Sequence, residues 1–185
     1  MSFSDHHDSS MINKNSFLSY AGAILFGPEG NIICDSLVQA LTIASGFLMV
    51  GNIIMSPLVS DLAEMYGISV AKMGITITAY NLPTLFLMLF IGPLADNIGR
   101  KPLLIWGLLI YSISGVAIIF SVDFTLSILL RIFQGVGYSL STPVITAIIG
   151  DMYSGAKEAT VQGIRVSGNN IVNVIIPVCV SWLHL

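Results

Sequence analysis

The chain has 185 residues, of which 55% are hydrophobic and only 9% are charged. A soluble domain carries about 25% charged residues, and it needs them at its surface to stay in solution. The composition therefore excludes an ordinary water-soluble fold and favours a protein whose solvent is the lipid bilayer. The net charge is -3 and the basic residues are scattered, so we predict no nucleic-acid partner.

The first 35 residues precede the membrane-spanning pattern. Residues 1–16 are polar, and we predict that they form a disordered cytoplasmic N-terminus. The apolar stretch 17–26 is too short to cross a bilayer as a helix, which takes about 20 residues. No small-residue cleavage pattern follows it, so a signal peptide is disfavoured. We predict an interfacial or re-entrant segment over residues 17–35.

From residue 36 onward, five long apolar segments alternate with short polar ones. Each is long enough to cross a bilayer as a helix, and none shows the alternation that strands of a membrane barrel require. Asp35 is placed to cap the first helix. The predicted spans are 36–58, 73–93, 103–122, 124–150 and 161–183. The predicted fold class is an all-α integral membrane protein with a bundle of about five transmembrane helices.

Basic residues in the short loops predict the orientation of these helices, because such residues accumulate on the cytoplasmic side. With a cytoplasmic N-terminus, the outer side carries Lys72 as its basic residue. The inner side then carries the larger set, which is Lys14, Arg100, Lys101, Lys157 and Arg165. We therefore predict a multi-pass protein of the cell membrane with its N-terminus in the cytoplasm.

A charged, glycine-containing stretch lies between the second and third spans. Residues 92–104 read GPLADNIGRKPLL, which resembles the signature of the major facilitator superfamily (MFS) between its second and third helices, roughly G-x-L-A-D-x-x-G-R-(R/K)-x-x-L. The matching residues are Gly92, Leu94, Ala95, Asp96, Gly99, Arg100, Lys101 and Leu104. The resemblance implies an MFS-type helical bundle and a role in transport.

The residue types of this signature suit a tight hairpin that can switch. Gly92 would let helix backbones approach closely, and Gly99 can take positive φ in the turn. Asp96 can accept hydrogen bonds, and Arg100 offers a planar fork that can hold a carboxylate. With Lys101, these residues are predicted to form a gating motif that is made in one conformation and broken in another. The alternative is that the basic residues only fix topology and Asp96 caps a helix.

A second group of motif residues lies in the first half of the fourth span. The stretch RIFQGVGYS at 131–139 resembles the family pattern R-x-x-x-G-x-G, with matches at Arg131, Gln134, Gly135 and Gly137. A buried arginine costs about 2.5 to 3.5 kcal/mol at the centre of a span, so it should face the bundle interior; snorkelling to the headgroups is the alternative. The resemblance implies proton transfer or conformational coupling. Helical spacing puts Tyr138 on the same face, where we expect the cavity.

Polar residues within the spans are candidates to line a substrate site, with simple bridging between helices as the alternative. They are Gln39, Asn52, Tyr80, Asn81, Asn170 and Asn173. No carboxylate lies deep in any predicted span. The sequence predicts no metal site and no cofactor, because no Cys/His spacing supports one. It predicts no enzyme either, because no nucleophile and base occur together in a supporting context.

The resemblance covers about residues 36–183 and implies the N-terminal portion of a secondary transporter of the drug or sugar:proton type. We expect transport of an unknown small solute by alternating access, and we favour multidrug-type efflux. The partners would be the bilayer, the substrate, a proton as coupling ion, and a missing C-terminal half. Five spans are one fewer than a family half, so we expect a fragment or truncated product that is inactive alone. The alternative is a non-transporting scaffold or accessory protein derived from an MFS half.

One further family feature matches poorly. Antiporters of the drug/proton type carry a glycine-rich motif around a proline in the fifth helix. Pro177 is present here, but its neighbours at the expected glycine positions are Ile176, Val180 and Ser181. This departure weighs against an antiporter and leaves the family resemblance intact.

Overall fold

The computed structural model describes residues 35–183, and throughout this range the regular structure is helical. In chain order the helices are α1 (Ser36–Ile53), α2 (Met55–Met65), α3 (Val70–Ile98), α4 (Arg100–Ile119), α5 (Phe124–Met152) and α6 (Ala156–Leu183). The predicted N-terminal tail and almost all of the predicted interfacial segment lie outside the described residues. The chain forms two compact units, Met1–Gln39 and Ala40–Leu185, and the domain division predicted from the sequence stays a prediction.

Five helical segments are long and apolar enough to cross a membrane, with mean hydropathy between 1.3 and 2.1. They are Ser36–Met65, Val70–Ile98, Arg100–Ile119, Phe124–Met152 and Ala156–Trp182. Large apolar side chains such as Leu85, Phe90, Trp106 and Trp182 are exposed on their outer faces. An apolar surface this extensive requires lipid around it. The all-α membrane bundle of about five spanning helices is therefore confirmed.

Several helices begin at capping residues. Asp35 accepts a hydrogen bond from the backbone N–H of Leu37 at 3.0 Å, as predicted for the start of α1. The hydroxyl of Ser69 accepts from the N–H of Lys72 at the start of α3. Asp123 accepts from the N–H of Thr125 at the start of α5. Each cap satisfies a backbone donor that has no partner inside the helix.

The first span contains a break in its helical hydrogen bonding. α1 ends at Ile53 and α2 begins at Met55, although Ile54 between them keeps helical angles (φ -61°, ψ -30°). Pro57 explains the break, because proline has no N–H to donate to the carbonyl four residues before it. The two helices therefore form one membrane span whose helical hydrogen bonding is interrupted at Ile54. We call this interruption the weak point of the span.

The second helix extends further than predicted. The sequence predicted a second span over 73–93 and a loop of a few residues before the next span at 103, but α3 continues to Ile98. Only Gly99 separates α3 from α4, and its φ is 93°. A positive φ of this size is readily available to glycine alone. A helix is also the natural state of such a segment near lipid, because it satisfies its own backbone donors and acceptors.

α5 is the central helix, and it packs most extensively against α4 and α3. Two glycines make this possible by removing side chains at the crossings. A Cβ built on Gly137 would lie 2.6 Å from the backbone N of Tyr111 and 2.7 Å from the carbonyl of Gly107, both on α4. A Cβ on Gly135 would overlap the carbonyl of Tyr80 on α3. As predicted, this glycine-rich stretch has close helix neighbours, with α4 packed against Gly137 and α3 packed against Gly135.

α6 is much more exposed than the other spans, with only 6% of its most apolar window buried. Its contact with α1 is polar as well as apolar. Ser45 donates to Oδ1 of the buried Asn169 at 3.0 Å, and the amide of Asn173 lies 3.7 Å from the sulfur of Met49. Interhelical hydrogen bonds of this kind contribute about 0.6 kcal/mol each in a bilayer.

We predict that Gly135→Ala destabilises the bundle, because the new methyl group would collide with backbone that cannot move aside. The expected loss in free energy of unfolding is about 2 kcal/mol, within the range for overpacked cores. Chemical unfolding of the purified chain in detergent measures it. Gly163→Ala on α6 is the matched control, because a Cβ there meets no atom of the described residues within 4 Å. Equal stability of the two variants would contradict the proposed crossing.

Candidate functional site

The charged hairpin between α3 and α4 is held by an ion pair to α5. Arg100 donates through Nη1 to the carbonyl of Ala147 at 2.6 Å and also forms an ion pair with the carboxylate of Asp151. The side chain of Arg100 is 30% exposed and that of Asp151 is 57% exposed. The sequence suggested that this fork holds a carboxylate but did not say which one. The carboxylate is that of Asp151, because the end of α5 lies directly beside the start of α4.

Three other members of the predicted gating motif are exposed. Two of them are Asp96 and Lys101, and within residues 35–183 the side chain of Asp96 has no hydrogen bond or ion pair. Asp96 lies in the last turn of α3, and the alternative that it caps a helix stays a prediction. Gly92 is exposed, and a Cβ there would meet nothing within 4 Å among these residues. The close backbone approach expected at Gly92 is therefore not observed.

Arg131 on α5 is buried in the bundle, with 5% of its surface exposed. It donates through Nη1 to the carbonyl of Gly51 at 2.7 Å and to Oε1 of Gln134 at 2.9 Å. Its Nε–H is also buried but has no partner in the described residues. The snorkelling alternative is therefore not observed, since Arg131 binds the backbone of α1 instead of reaching towards the headgroups.

Tyr111 on α4 contacts the same part of α1. Its hydroxyl donates to the carbonyl of Leu48 at 2.8 Å and accepts from the N–H of Gly51 at 2.9 Å. The side chain is 2% exposed. Both polar groups of the Gly51 backbone therefore contact side chains of other helices, the N–H through Tyr111 and the carbonyl through Arg131.

A small pocket of about 120 Å³ lies where four helices meet. It is lined by Met49, Asn52, Ile53, Tyr80, Asn81, Tyr138 and Asn173. The rings of Tyr80 and Tyr138 lie 5.7 Å apart, and the hydroxyl of Tyr80 is buried without a hydrogen-bond partner in the described residues. Amides, phenols and a thioether make a lining that is polar and uncharged.

A larger cavity of about 930 Å³ lies on the other side of α1 and is lined mainly by apolar side chains. Arg131 and Gln134 line it from α5. The hydroxyl of Tyr66 also contributes, and it lies 2.7 Å from that of Ser127. We expected one cavity along the face of Arg131, Gln134 and Tyr138. The structure divides this face, because α1 runs between the two cavities and Tyr138 lines the smaller one.

Two of the predicted substrate-lining residues are not in the small pocket. Asn170 is exposed on α6 and is not part of the lining. Gln39 is also exposed and belongs to the unit Met1–Gln39, so its role stays a prediction. Among residues 35–183, no group of three or more His, Cys, Asp or Glu side chains could hold a metal ion.

A sequence model described as "Major Facilitator Superfamily" matches residues 41–185, which is most of the chain and all of the helices described above except the first turn of α1. The chain belongs to the Major Facilitator Superfamily. Members of this family are transport proteins and not enzymes, so the predicted absence of enzymatic chemistry agrees with the family.

Several proteins that are similar to this MFS chain are named as multidrug transporters or multidrug resistance proteins. It is 28% identical over 148 residues to "Multidrug transporter protein MdtP" of Bacillus subtilis, covering 80% of this chain and 27% of that protein. It is 32% identical over 118 residues to "Multidrug resistance protein MdtL" of Shewanella oneidensis, covering 64% and 30%. It is 27% identical over 127 residues to "Multidrug transporter AQR1" of Candida glabrata, covering 69% and 22%. The matched regions thus span less than a third of these curated relatives.

Sequence reasoning missed two residues that the MFS bundle uses. Asp151 pairs with Arg100, and Tyr111 contacts α1. Asp151 could have been suspected from the sequence, because it is a carboxylate on the side of the membrane that is predicted to carry most of the basic residues. A single phenol in an otherwise apolar span was a weaker signal for Tyr111.

We predict that Arg100 and Asp151 are energetically coupled. A double-mutant cycle with Arg100→Gln and Asp151→Asn, read by chemical unfolding in detergent, should give a coupling of about 0.2–1 kcal/mol, as for other solvent-accessible ion pairs. The matched cycle with Asp96→Asn should give none, because Asp96 does not contact Arg100. Coupling of Arg100 to Asp96 and not to Asp151 would refute the observed pairing.

Proposed function

We propose that this chain is part of an MFS permease that carries a small solute across the cell membrane by alternating access. The small pocket supports this role most directly. It combines the side chains of Asn52, Tyr80, Asn81, Tyr138 and Asn173 from four separate helices. Sites where facing helices contribute a few convergent polar groups are typical of transporters and of ligand pockets in general.

The lining of the pocket indicates which solutes it would suit. Its hydrogen-bonding groups are neutral amides and phenols, and its apolar contacts come from Met49, Ile53 and the two tyrosine rings. Such a surface fits an aromatic or amphipathic compound that carries a hydrogen-bond acceptor or donor. Together with the multidrug names of the relatives, this favours multidrug-type efflux.

The coupling ion would be a proton, as the family resemblance implies. None of the buried residues among 35–183 is a carboxylate. We therefore propose that the proton-binding acid lies elsewhere in the transporter, and that Arg131 contributes through its buried charge. Its position against the α1 backbone would let a change in nearby charge act on that helix.

The hairpin between α3 and α4 would act as the gate. The Arg100–Asp151 pair ties the start of α4 to the end of α5, while Asp96 is exposed and available to a partner beyond residues 35–183. We propose that this partner belongs to a second half of the transporter. The relatives support such a half, because the matched regions cover only 22–30% of their lengths.

A binding experiment on the chain tests the pocket. The pocket of about 120 Å³ admits only a small compound. Benzyl alcohol is therefore the neutral aromatic probe, and benzylammonium, of nearly the same size, is its cationic counterpart. Thermal shift in detergent should show stronger binding of the neutral probe, since the lining holds no carboxylate. Asn173→Ala should weaken that binding about fivefold, near the value of one lost hydrogen bond. Asn170→Ala is the matched control, an exposed amide three residues away on the same helix, and should bind normally.

Either of two results would contradict the proposed site. One is a preference for the cation, and the other is equal loss of binding in the two asparagine variants. Flux is a separate measurement. Residues 1–185 in liposomes should show no counterflow of the neutral probe above that of protein-free liposomes, because alternating access needs a second half to close the site. Robust counterflow would overturn that part of the proposal.

The proposed orientation places the Gly99 hairpin in the cytoplasm. α4 has 20 residues and therefore spans about 30 Å, so its two ends should lie on opposite membrane surfaces. In a background with Cys34 and Cys179 replaced by serine, Val122→Cys should react with an impermeant maleimide on intact cells. Asn97→Cys should react only after permeabilisation. The reverse pattern would place the N-terminus outside.

A further inference from the structure

The weak point in the first span lies beside both cavities. Gly51 lines the larger cavity, while the next two residues, Asn52 and Ile53, line the small polar pocket. The helix is interrupted immediately afterwards, at Ile54, because Pro57 cannot donate a hydrogen bond. The backbone that orients Asn52 towards the pocket is therefore less supported by its own helix than backbone elsewhere in the span.

Side chains from other helices contact this backbone. The Tyr111 hydroxyl uses both of its hydrogen-bonding roles on α1, donating to Leu48 and accepting from Gly51 at 2.8 and 2.9 Å. Arg131 contacts the carbonyl of Gly51 from α5. The fit is close, because a Cβ on Gly51 would overlap the Tyr111 hydroxyl and the amide of Gln134. The orientation of α1 at this point thus depends on groups that lie about sixty to eighty residues further along the chain.

We propose that Tyr111 is a positioning residue for the small pocket. Its hydroxyl holds the α1 backbone at Leu48 and Gly51, and this keeps Asn52 turned towards the pocket in spite of the break at Ile54. The role of the pocket in binding substrate rests on the proposed function, whereas the restraint on α1 does not. Tyr111 does not line the small pocket itself, so it acts on a ligand there only through α1.

The hydroxyl of Tyr111 is responsible for the restraint on the α1 backbone, and its ring is not. The ring packs edge-on against Phe47, with centroids 5.6 Å apart, and a phenylalanine would preserve this contact. Tyr111→Phe therefore removes two hydrogen bonds while leaving the volume of the side chain almost unchanged. The variant should fold, because most of the packing around position 111 remains.

The first measurement is amide hydrogen exchange of the full chain in lipid nanodiscs. Tyr111→Phe should speed exchange of residues 48–56 about tenfold, as expected for losing about one net buried hydrogen bond. Tyr66→Phe is the matched control. It also removes hydroxyl contacts of a partly buried tyrosine, to Ser127 and Ser121, but these contacts do not involve α1. Exchange of residues 48–56 should be unchanged in the control.

A second variant distinguishes a restraint on the weak point from general loosening. Pro57→Ala restores the missing N–H and should let the helix continue through Ile54. In that background, Tyr111→Phe should change exchange of residues 48–56 by less than about twofold, because the helix then supports itself. An equal effect of Tyr111→Phe with and without Pro57 would overturn the proposal, as would unchanged exchange in Tyr111→Phe alone.

The second measurement is binding of benzyl alcohol. Tyr111→Phe should weaken it about threefold to tenfold, and Pro57→Ala should restore most of that loss. Faster exchange with unchanged affinity would overturn the positioning role while leaving the proposed site intact. If the unaltered chain binds no probe, the proposed function fails, and hydrogen exchange alone then decides whether Tyr111 restrains α1.

Discussion

The described helices are arranged around one buried positive charge. Arg131 is the only charged side chain among residues 35–183 that is buried, and a guanidinium in hydrocarbon is costly unless polar groups surround it. Its partners are a backbone carbonyl on α1 and the amide of Gln134. α1 must therefore pass close to α5 at Gly51, and this single constraint places the first span between the two cavities.

Much of this architecture could be predicted from the sequence. Apolar length predicts the spans, because nothing shorter than about 20 residues crosses a bilayer as a helix. Gly135 and Gly137 predict close neighbours for α5, and Gly99 predicts a sharp turn; both expectations agree with the structure. These features are local, since each depends on a residue type at its own position and on no distant partner.

The features that could not be predicted depend on distant partners. Arg100 and Asp151 are 51 residues apart, and so are in contact only because α4 and α5 are neighbours. Tyr111 and Gly51 are 60 residues apart, and a phenol in an apolar run looks like ordinary packing. Helical periodicity did place Arg131 and Tyr138 on one face, but it could not show that another helix divides that face between two cavities.

The glycines of α5 also limit how the bundle can rearrange. With backbone against backbone at Gly135 on one side and Gly137 on the other, α3, α4 and α5 have no flexible side chains at these crossings to absorb sliding. These three helices should therefore move as one rigid body. Any internal shape change is left to the interrupted first span and the sparsely packed α6, so flexibility is concentrated in two of the four helices that line the polar pocket.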